Sequence, residues 1–304
     1  MALAYSTISF LSDYGLDDEF VGVVKSVIRA IEPAAVVVDV THGIAPYDVR
    51  SGALALARSA QYLVPGVVLA VVDPGVGTAR RAVAVEVGHG QSVLVGPDNG
   101  LLAPAVAIVG GAGRAVELTN ARYHLDAPGP TFAGRDVLAP AAAHLCAGIE
   151  LTELGEAIEP ASLAPGLVPV ARAEGATLVA EVLWADRFGN AQLNIDAHDV
   201  EGWGDRVRLW LGAGERERSV RVARRVATFG ELGSSEVGLL VDSYGLLAVA
   251  INRSSAADEL SLHPGAEVTL GRVDDDIGPG GGDNHGRASP AARSSAVTLG
   301  RRRE

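Results

Sequence analysis

The chain has 304 residues, 48% hydrophobic and 20% charged, with 25 Lys and Arg against 37 Asp and Glu for a net charge of −12. It has enough apolar residues to bury a sizeable core, and its negative charge repels phosphate backbones, which excludes global disorder and general nucleic-acid binding. Cys146 is the sole cysteine, which excludes an intrachain disulfide framework or a multi-thiolate metal cluster, and no apolar run reaches the roughly 18–20 residues that cross a bilayer.

Met1–Ser12 carries no basic n-region, so the expectation is a cytoplasmic protein with no signal peptide and no membrane association. From Ile8 to about Ala147, short β-branched runs alternate with helical patterns. Strands are predicted at Ile8–Leu11, Val36–Val40, Val67–Val72, Ala82–Val87 and Ser92–Val95, and helices at Asp18–Ile31, Asp48–Tyr62 and Val137–Leu145. Near-continuous apolar strands between amphipathic helices predict an α/β domain over residues 1–165 with a mostly parallel sheet covered on both faces. Ligands of such sheets sit at the carboxyl ends of strands, and the residues there are polar: Ser12-Asp13, Thr41-His42, Asp73 and Asp98-Asn99.

Glu150–Val170, rich in Glu, Pro, Leu and Ala without clear periodicity, reads as an interdomain connection. Over residues 170–273 the pattern changes to short alternating runs at Leu178–Leu183, Arg206–Leu211, Ser219–Val222, Gly238–Val241, Leu246–Ile251 and Glu267–Leu270. Short strands with Gly turns predict a smaller antiparallel β-barrel domain. Residues 274–304, with a Gly-Pro-Gly-Gly-Gly run and a terminal Arg-Arg-Arg, read as a disordered tail.

The sharpest local signal is Val71-Val72-Asp73-Pro74-Gly75-Val76-Gly77-Thr78, a strand ending in an acid and a Gly-rich turn whose backbone amides can approach a ligand. It is not a Walker A loop, because no Gly-Lys-Ser/Thr follows. Four further stretches accompany it: Phe10-Leu11-Ser12-Asp13-Tyr14-Gly15, Ala45-Pro46-Tyr47-Asp48, Thr131-Phe132-Ala133-Gly134-Arg135-Asp136 and Asp186-Arg187-Phe188-Gly189-Asn190. In this order, over about residues 7–272, the set resembles the S-adenosyl-L-methionine hydroxide adenosyltransferases (SAM hydrolases), relatives of the fluorinase and chlorinase enzymes.

The resemblance implies an N-terminal α/β domain, a C-terminal β-barrel and a homotrimer with active sites between subunits. It further implies substitution at C5′ of S-adenosyl-L-methionine by water or hydroxide, giving adenosine and L-methionine with no metal and no cofactor beyond that substrate. Asp73 and Arg80 match the Asp and Arg of the family's Asp–Arg–His set. The halogenases have no acid where this chain has Asp73, and a carboxylate repels an incoming halide, so Asp73 argues for hydroxide. The short Glu86–Gln91 connection also lacks the insertion typical of fluorinases. Ala133 stands where the family has histidine. An engineered exchange and a natural variant both account for it, and both imply weakened turnover with substrate binding retained.

For the substrate, the match implies that Asp13 accepts the ribose hydroxyls and Tyr47 lies against the ribose or sulfonium. Asp186 would pair with the methionine ammonium, and Ser243 and Tyr244 would hold its carboxylate. Asn190 would read adenine between Phe188 and Phe229, with the backbone near Arg253 close to the exocyclic amine. The seven histidines show no metal-ligand spacing, and no G-x-S-x-G elbow for Ser-His-Asp hydrolysis is present. Three alternatives stay open: an adenosyl-ligand binding protein without catalysis, a halogenase-type enzyme, and a methyltransferase built on the Asp73–Gly77 turn.

Overall fold

Apolar β-branched runs that sit between helices pair in parallel, and this explains the first half of the protein. The computed structural model describes residues 5–212 and 219–273; the tail read from Asp274 onward lies outside the described residues. The chain divides into two compact units between Val168 and Pro169.

In the first unit, β1 (Thr7–Ser12), β2 (Val36–Thr41), β3 (Val67–Val71), β4 (Ala82–Val87), β5 (Ser92–Pro97), β6 (Ala112–Glu117) and β7 (Glu156–Ile158) form one sheet in the order β2-β1-β3-β5-β4-β6-β7. The β2, β1, β3 and β5 pairings are parallel, and β4, β6 and β7 extend the sheet antiparallel. The sheet is therefore mixed: the strands predicted from sequence make up its parallel half, β2, β1, β3 and β5, and the adjoining antiparallel β4. The antiparallel edge was less legible: β6 (Ala-Gly-Arg-Ala-Val-Glu) has little strand character, and β7 has three residues inside the stretch expected as a connection. Leu151 and Leu154 of that stretch are core residues.

Helix α1 (Phe20–Ile31) buries Val21, Val24 and Ile28, spaced by helical turns, and ends before Pro33, which cannot continue it. Helix α2 (Val49–Ala60) starts at Asp48, whose Oδ1 accepts the Ser51 amide at 2.9 Å as an N-cap. Its Gly52 has a packing reason: a Cβ there would lie 2.9 Å from Val72 Cγ2, so only glycine brings α2 this close to the end of β3. Helix α3 (Ala103–Ile108) packs beside α2 on one face of the sheet. On the other face, α1 meets α4 (Ala139–Cys146), which is preceded by a π-helical turn, Gly134–Leu138.

In the second unit, β8 (Arg172–Glu174), β9 (Thr177–Ala185), β10 (Ala191–Asp196), β11 (Arg206–Leu211), β12 (Ser219–Arg225), β13 (Val237–Val241), β14 (Leu246–Ile251) and β15 (Glu267–Arg272) pair in the order β10-β14-β13-β12-β11-β15-β9-β8. A further β9–β10 pairing closes seven of them into a barrel, with β8 appended to β9. All pairings are antiparallel except β12–β13. Closure removes exposed sheet edges, and Val182, Leu193, Leu209, Leu239, Val249 and Leu270 fill the interior.

Candidate active site

Strand order decides where the first unit can hold a ligand. From β1 the chain moves to β2 on one side and then to β3 on the other, so the connections leave β1 and β3 in opposite directions and open a crevice at their carboxyl ends. Register sets Ser12 beside Val71, which puts Asp13 and Asp73 just beyond the ends of neighbouring strands.

Asp73 is held rigidly. Arg80 Nε donates to its Oδ1 at 2.8 Å and Arg80 Nη2 donates to its Oδ2, a two-pronged pair in which the Asp73 side chain is 6% exposed and that of Arg80 14%. The glycines of the turn make this geometry possible. A Cβ on Gly75 would lie 3.2 Å from Arg80 Cγ; Gly77 has φ +77°, and a Cβ on it would lie 3.0 Å from the Pro130 carbonyl oxygen. Two of the turn amides are engaged internally, Val76 N–H to Asp73 O and Thr78 N–H to Gly75 O, each at 3.2 Å. The turn thus serves chiefly to bring Arg80 over Asp73 and to pack against Pro130, rather than to present a row of free amides. Arg81 turns elsewhere, to Asp98 and to the Ser162 carbonyl oxygen.

Ala133 lies three residues beyond Pro130, half-buried and with helical φ −57° and ψ −29°, immediately before the π-helical turn. Such turns interrupt regular helix pairing and recur at functional sites. A Cβ on Gly134 would overlap the Tyr14 hydroxyl, so the Ala133–Gly134 backbone is in contact with the residue that follows Asp13. Asp13, Asp73, Arg80 and Ala133 thus converge on one crevice.

Asp13 Oδ2 accepts the Tyr47 amide at 2.9 Å, and Tyr47 has φ +69°, a left-handed conformation rare for an aromatic residue. The Tyr47 side chain is 74% exposed. Burial pushes the Asp13 carboxyl above its usual range; the Tyr47 amide opposes the rise and the neighbouring Asp73 charge adds to it.

A relay that the sequence did not reveal, buried at Ser12 and His42 and open to solvent at Asp39 and Lys25, supports this crevice. Ser12 Oγ and His42 Nδ1 share a hydrogen bond of 2.8 Å, His42 Nε2 meets Asp39 Oδ1 at 3.1 Å, and Lys25 Nζ donates to Asp39 Oδ2 at 2.6 Å. The residue types are those of a hydrolytic triad, but Ser12 is 0% exposed and its oxygen accepts the Tyr14 amide at 3.3 Å. A nucleophile needs access to its substrate, so the relay serves to lock the ends of β1 and β2; the Gly15 amide donates to His42 O at 2.8 Å in the same lock. No group of three or more metal-ligating side chains occurs among the described residues.

In the second unit, Asp186, Phe188 and Asn190 share the turn between β9 and β10. Asp186 Oδ1 accepts the Phe188 and Asn190 amides at 2.8 and 2.9 Å, and its Oδ2 accepts from Asn190 Nδ2 at 2.8 Å. The acid therefore shapes its own turn and lifts Phe188 to 79% exposure. Gly189, at φ +81°, lets Ser255 press against the turn, since a Cβ there would overlap it; the Ala257 amide donates to Gly189 O at 2.9 Å. Arg253, at φ +59°, lies two residues before Ser255 in the same segment. Asn252 Nδ2 donates to Leu232 O at 2.8 Å, tying the Phe229–Glu231 turn to the same end of the barrel.

Ser243 and Tyr244 lie in the β13–β14 turn, where Asp242 Oδ1 accepts the Tyr244 and Leu246 amides at 2.8 and 3.1 Å. Gln192 Nε2 donates to Asp242 Oδ2, and Trp184 meets Tyr244 edge-on at 6.4 Å. Trp184 and Gln192 flank the Asp186–Asn190 turn in sequence, so they couple the two turns. Only the buried polar character of Gln192 among apolar neighbours could have flagged it.

The chain is similar to known proteins along most of its length. The N-terminal domain model of the SAM hydroxide adenosyltransferases matches residues 8–155 and the C-terminal domain model matches residues 180–269. A protein named (R)-S-adenosyl-L-methionine hydrolase from Salinispora tropica is 46% identical over 86% of this chain and 97% of its own length. A protein named fluorinase from Actinoplanes sp. is 29% identical over 86% of this chain and 96% of its own. The crystal structure of an uncharacterized conserved protein from Thermotoga maritima superposes with a TM-score of 0.79 at 33% identity, covering 87% of this chain and all of that one. With both of its domains matched in order and such identity along most of its length, this chain belongs to the SAM hydroxide adenosyltransferase family.

Proposed function

We propose that the protein hydrolyses S-adenosyl-L-methionine to adenosine and L-methionine, with water attacking ribose C5′. The observation that carries this reading is the Asp73–Arg80 pair beside Asp13 at the strand-end crevice. Sulfonium departs with the C–S bonding electrons as the neutral thioether of methionine, so sulfur needs no acid. The difficulty lies with water, whose pKa is about 15.7 in bulk. Asp73 accepts the proton released as the oxygen bonds to C5′, and Arg80 fixes that carboxylate in place, which converts water capture into an oriented step. No metal or further cofactor is needed. An overall charge of −12 favours approach of a cationic sulfonium.

In the same reading Asp13 accepts the ribose hydroxyls, and Tyr47, held by Asp13, offers an aromatic face to the sulfonium. Asp186, Phe188, Asn190, Phe229, Ser243, Tyr244 and Arg253 bind the methionine and adenine ends, with Asp242 and Gln192 holding the Ser243–Tyr244 turn. A homotrimer working in the cytoplasm, its sites completed between subunits, is part of the proposal. Because no imidazole is present at Ala133, turnover is slow. Prolonged incubation with S-adenosyl-L-methionine followed by chromatography should show adenosine and methionine in equal amounts. S-adenosylhomocysteine instead would establish a methyltransferase. Binding without any product would establish the second reading, an adenosyl-ligand binding protein, which Ala133 specifically favours.

The raised Asp13 carboxyl yields a prediction with a definite sign. A raised acid contributes stability that is fully present below its unfolded value and lost as pH rises through the folded value, so at neutral pH the ionised Asp13 burdens the fold. D13N is therefore expected to melt no lower than the parent at pH 7, while KM rises about 10-fold or more because a charged acceptor for the ribose is gone. In the parent, KM should climb as pH falls through the Asp13 value. A D13N protein with unchanged KM would remove Asp13 from the ribose site.

A further inference from the structure

Tyr14 is the one residue of the crevice that neither the strand-end logic nor the family pattern assigns to the chemistry. Its backbone is pinned on both sides, by Ser12 Oγ accepting its amide and by the Gly15 amide bonded to His42 O. Its ring is caged by three phenylalanines. Phe10 stands edge-on at 6.4 Å, Phe132 edge-on at 5.6 Å, and Phe20 is tilted at 5.5 Å. The ring therefore has one orientation, and that orientation presses the hydroxyl against Gly134, the residue next to Ala133, where any side chain would collide with it.

The surroundings of the hydroxyl are polar although the cage is not. Burial pushes the phenol above its usual range, the Asp13 and Asp73 charges push it further, Arg80 opposes them, and Asp136 adds to the rise. The phenol thus stays protonated and neutral at any working pH; it can hydrogen-bond but cannot serve as the base. No hydrogen-bond partner for the hydroxyl occurs among the described residues. Tyr14 is half-buried and its hydroxyl is not closed off as a buried unpaired atom, so it is free to bond a group that enters the crevice.

We propose that the Tyr14 hydroxyl is a catalytic group that holds the attacking water beside Ala133, the position from which an imidazole would otherwise hold it. This rests on the hydrolase reading above. Water would donate one hydrogen to the phenol oxygen and the other to Asp73, leaving a lone pair directed at C5′. As the O–C5′ bond forms and the C5′–S bond breaks, the proton facing Asp73 moves to that carboxylate. The hydrogen facing Tyr14 remains on the new 5′-hydroxyl of adenosine, so Tyr14 itself neither gains nor loses a proton.

Y14F removes only the oxygen and keeps the aromatic cage, which makes it the discriminating variant. Kinetics of adenosine release are compared in four full-length proteins: parent, Y14F, A133H and A133H/Y14F. In the parent background, Y14F is expected to lower kcat about 10- to 30-fold, with KM within about 2-fold and an unchanged melting temperature. In the A133H background, where the imidazole also holds the water, the loss is expected to shrink to about 3-fold or less. A purely structural role would lower the melting temperature and move KM with kcat by equal factors in both backgrounds. That result, or a Y14F kcat within about 2-fold of the parent, overturns the Tyr14 assignment and leaves the hydrolase reading standing. Absence of adenosine from both the parent and A133H overturns the hydrolase reading, and the Tyr14 assignment with it.

Discussion

In a histidine-restored A133H protein, D73N is expected to lower kcat by about 10²- to 10⁴-fold while KM changes little, measured as adenosine release under saturating S-adenosyl-L-methionine. Asparagine has the shape of aspartate and one oxygen that can still accept from Arg80, but it cannot take a proton at neutral pH. The loss should therefore fall on the chemical step. Stability has to be read alongside, because removing one member of a pair this deeply buried leaves the Arg80 guanidinium without its counter-charge, at a cost of up to about 3–5 kcal/mol. A D73N protein that melts lower yet still binds adenosine as tightly as its parent separates the two effects. A folded D73N protein that turns over at the parental rate would end the proposed mechanism, since no other carboxylate at the ends of β1 and β3 is held by a guanidinium among the described residues.

The reverse change carries the second large effect. A133H is expected to raise kcat about 10- to 100-fold over the parent and to add a limb near the imidazole pKa of about 6.5 to the pH–rate profile. Backbone geometry does not oppose the exchange, because Ala133 has helical angles that any L-residue adopts and is only half-buried. Its neighbour Gly134 lies against the Tyr14 hydroxyl, so position 133 adjoins the loop that carries Asp13. Equal rates for A133H and parent, with both proteins folded, would show that position 133 has no part in activating water, and the slow turnover assigned to Ala133 would lose its cause.

In the proposed reaction the same carboxylate favours hydroxide over halide as nucleophile. Asp73 is acidic, paired with Arg80 through both oxygens, and placed just beyond the end of β3. A halide entering there meets a negative charge and gains nothing from a proton acceptor, whereas water gains both a hydrogen bond and a destination for its proton.

Sequence alone determined the elements whose signals are local: the apolar β-branched runs of β1 to β5, the amphipathic helices α1 and α2, the alternating runs of the barrel, and the ordered motifs that nominated Asp13, Asp73, Arg80 and Asp186. Periodicity and turn chemistry are properties of neighbouring residues, so they are written along the chain. What only the tertiary structure decided were the contacts between distant segments. Gly52, Gly75 and Gly77 look like ordinary small residues until Val72, Arg80 and Pro130 are seen against them. The antiparallel edge made by β6 and β7 depends on pairing across about forty residues, and the Ser12–His42–Asp39–Lys25 relay joins three elements. The Tyr14 hydroxyl reaches Gly134 across 120 positions of sequence. Close packing brings together side chains that share no pattern, and a pattern is all that a reading along the chain can detect.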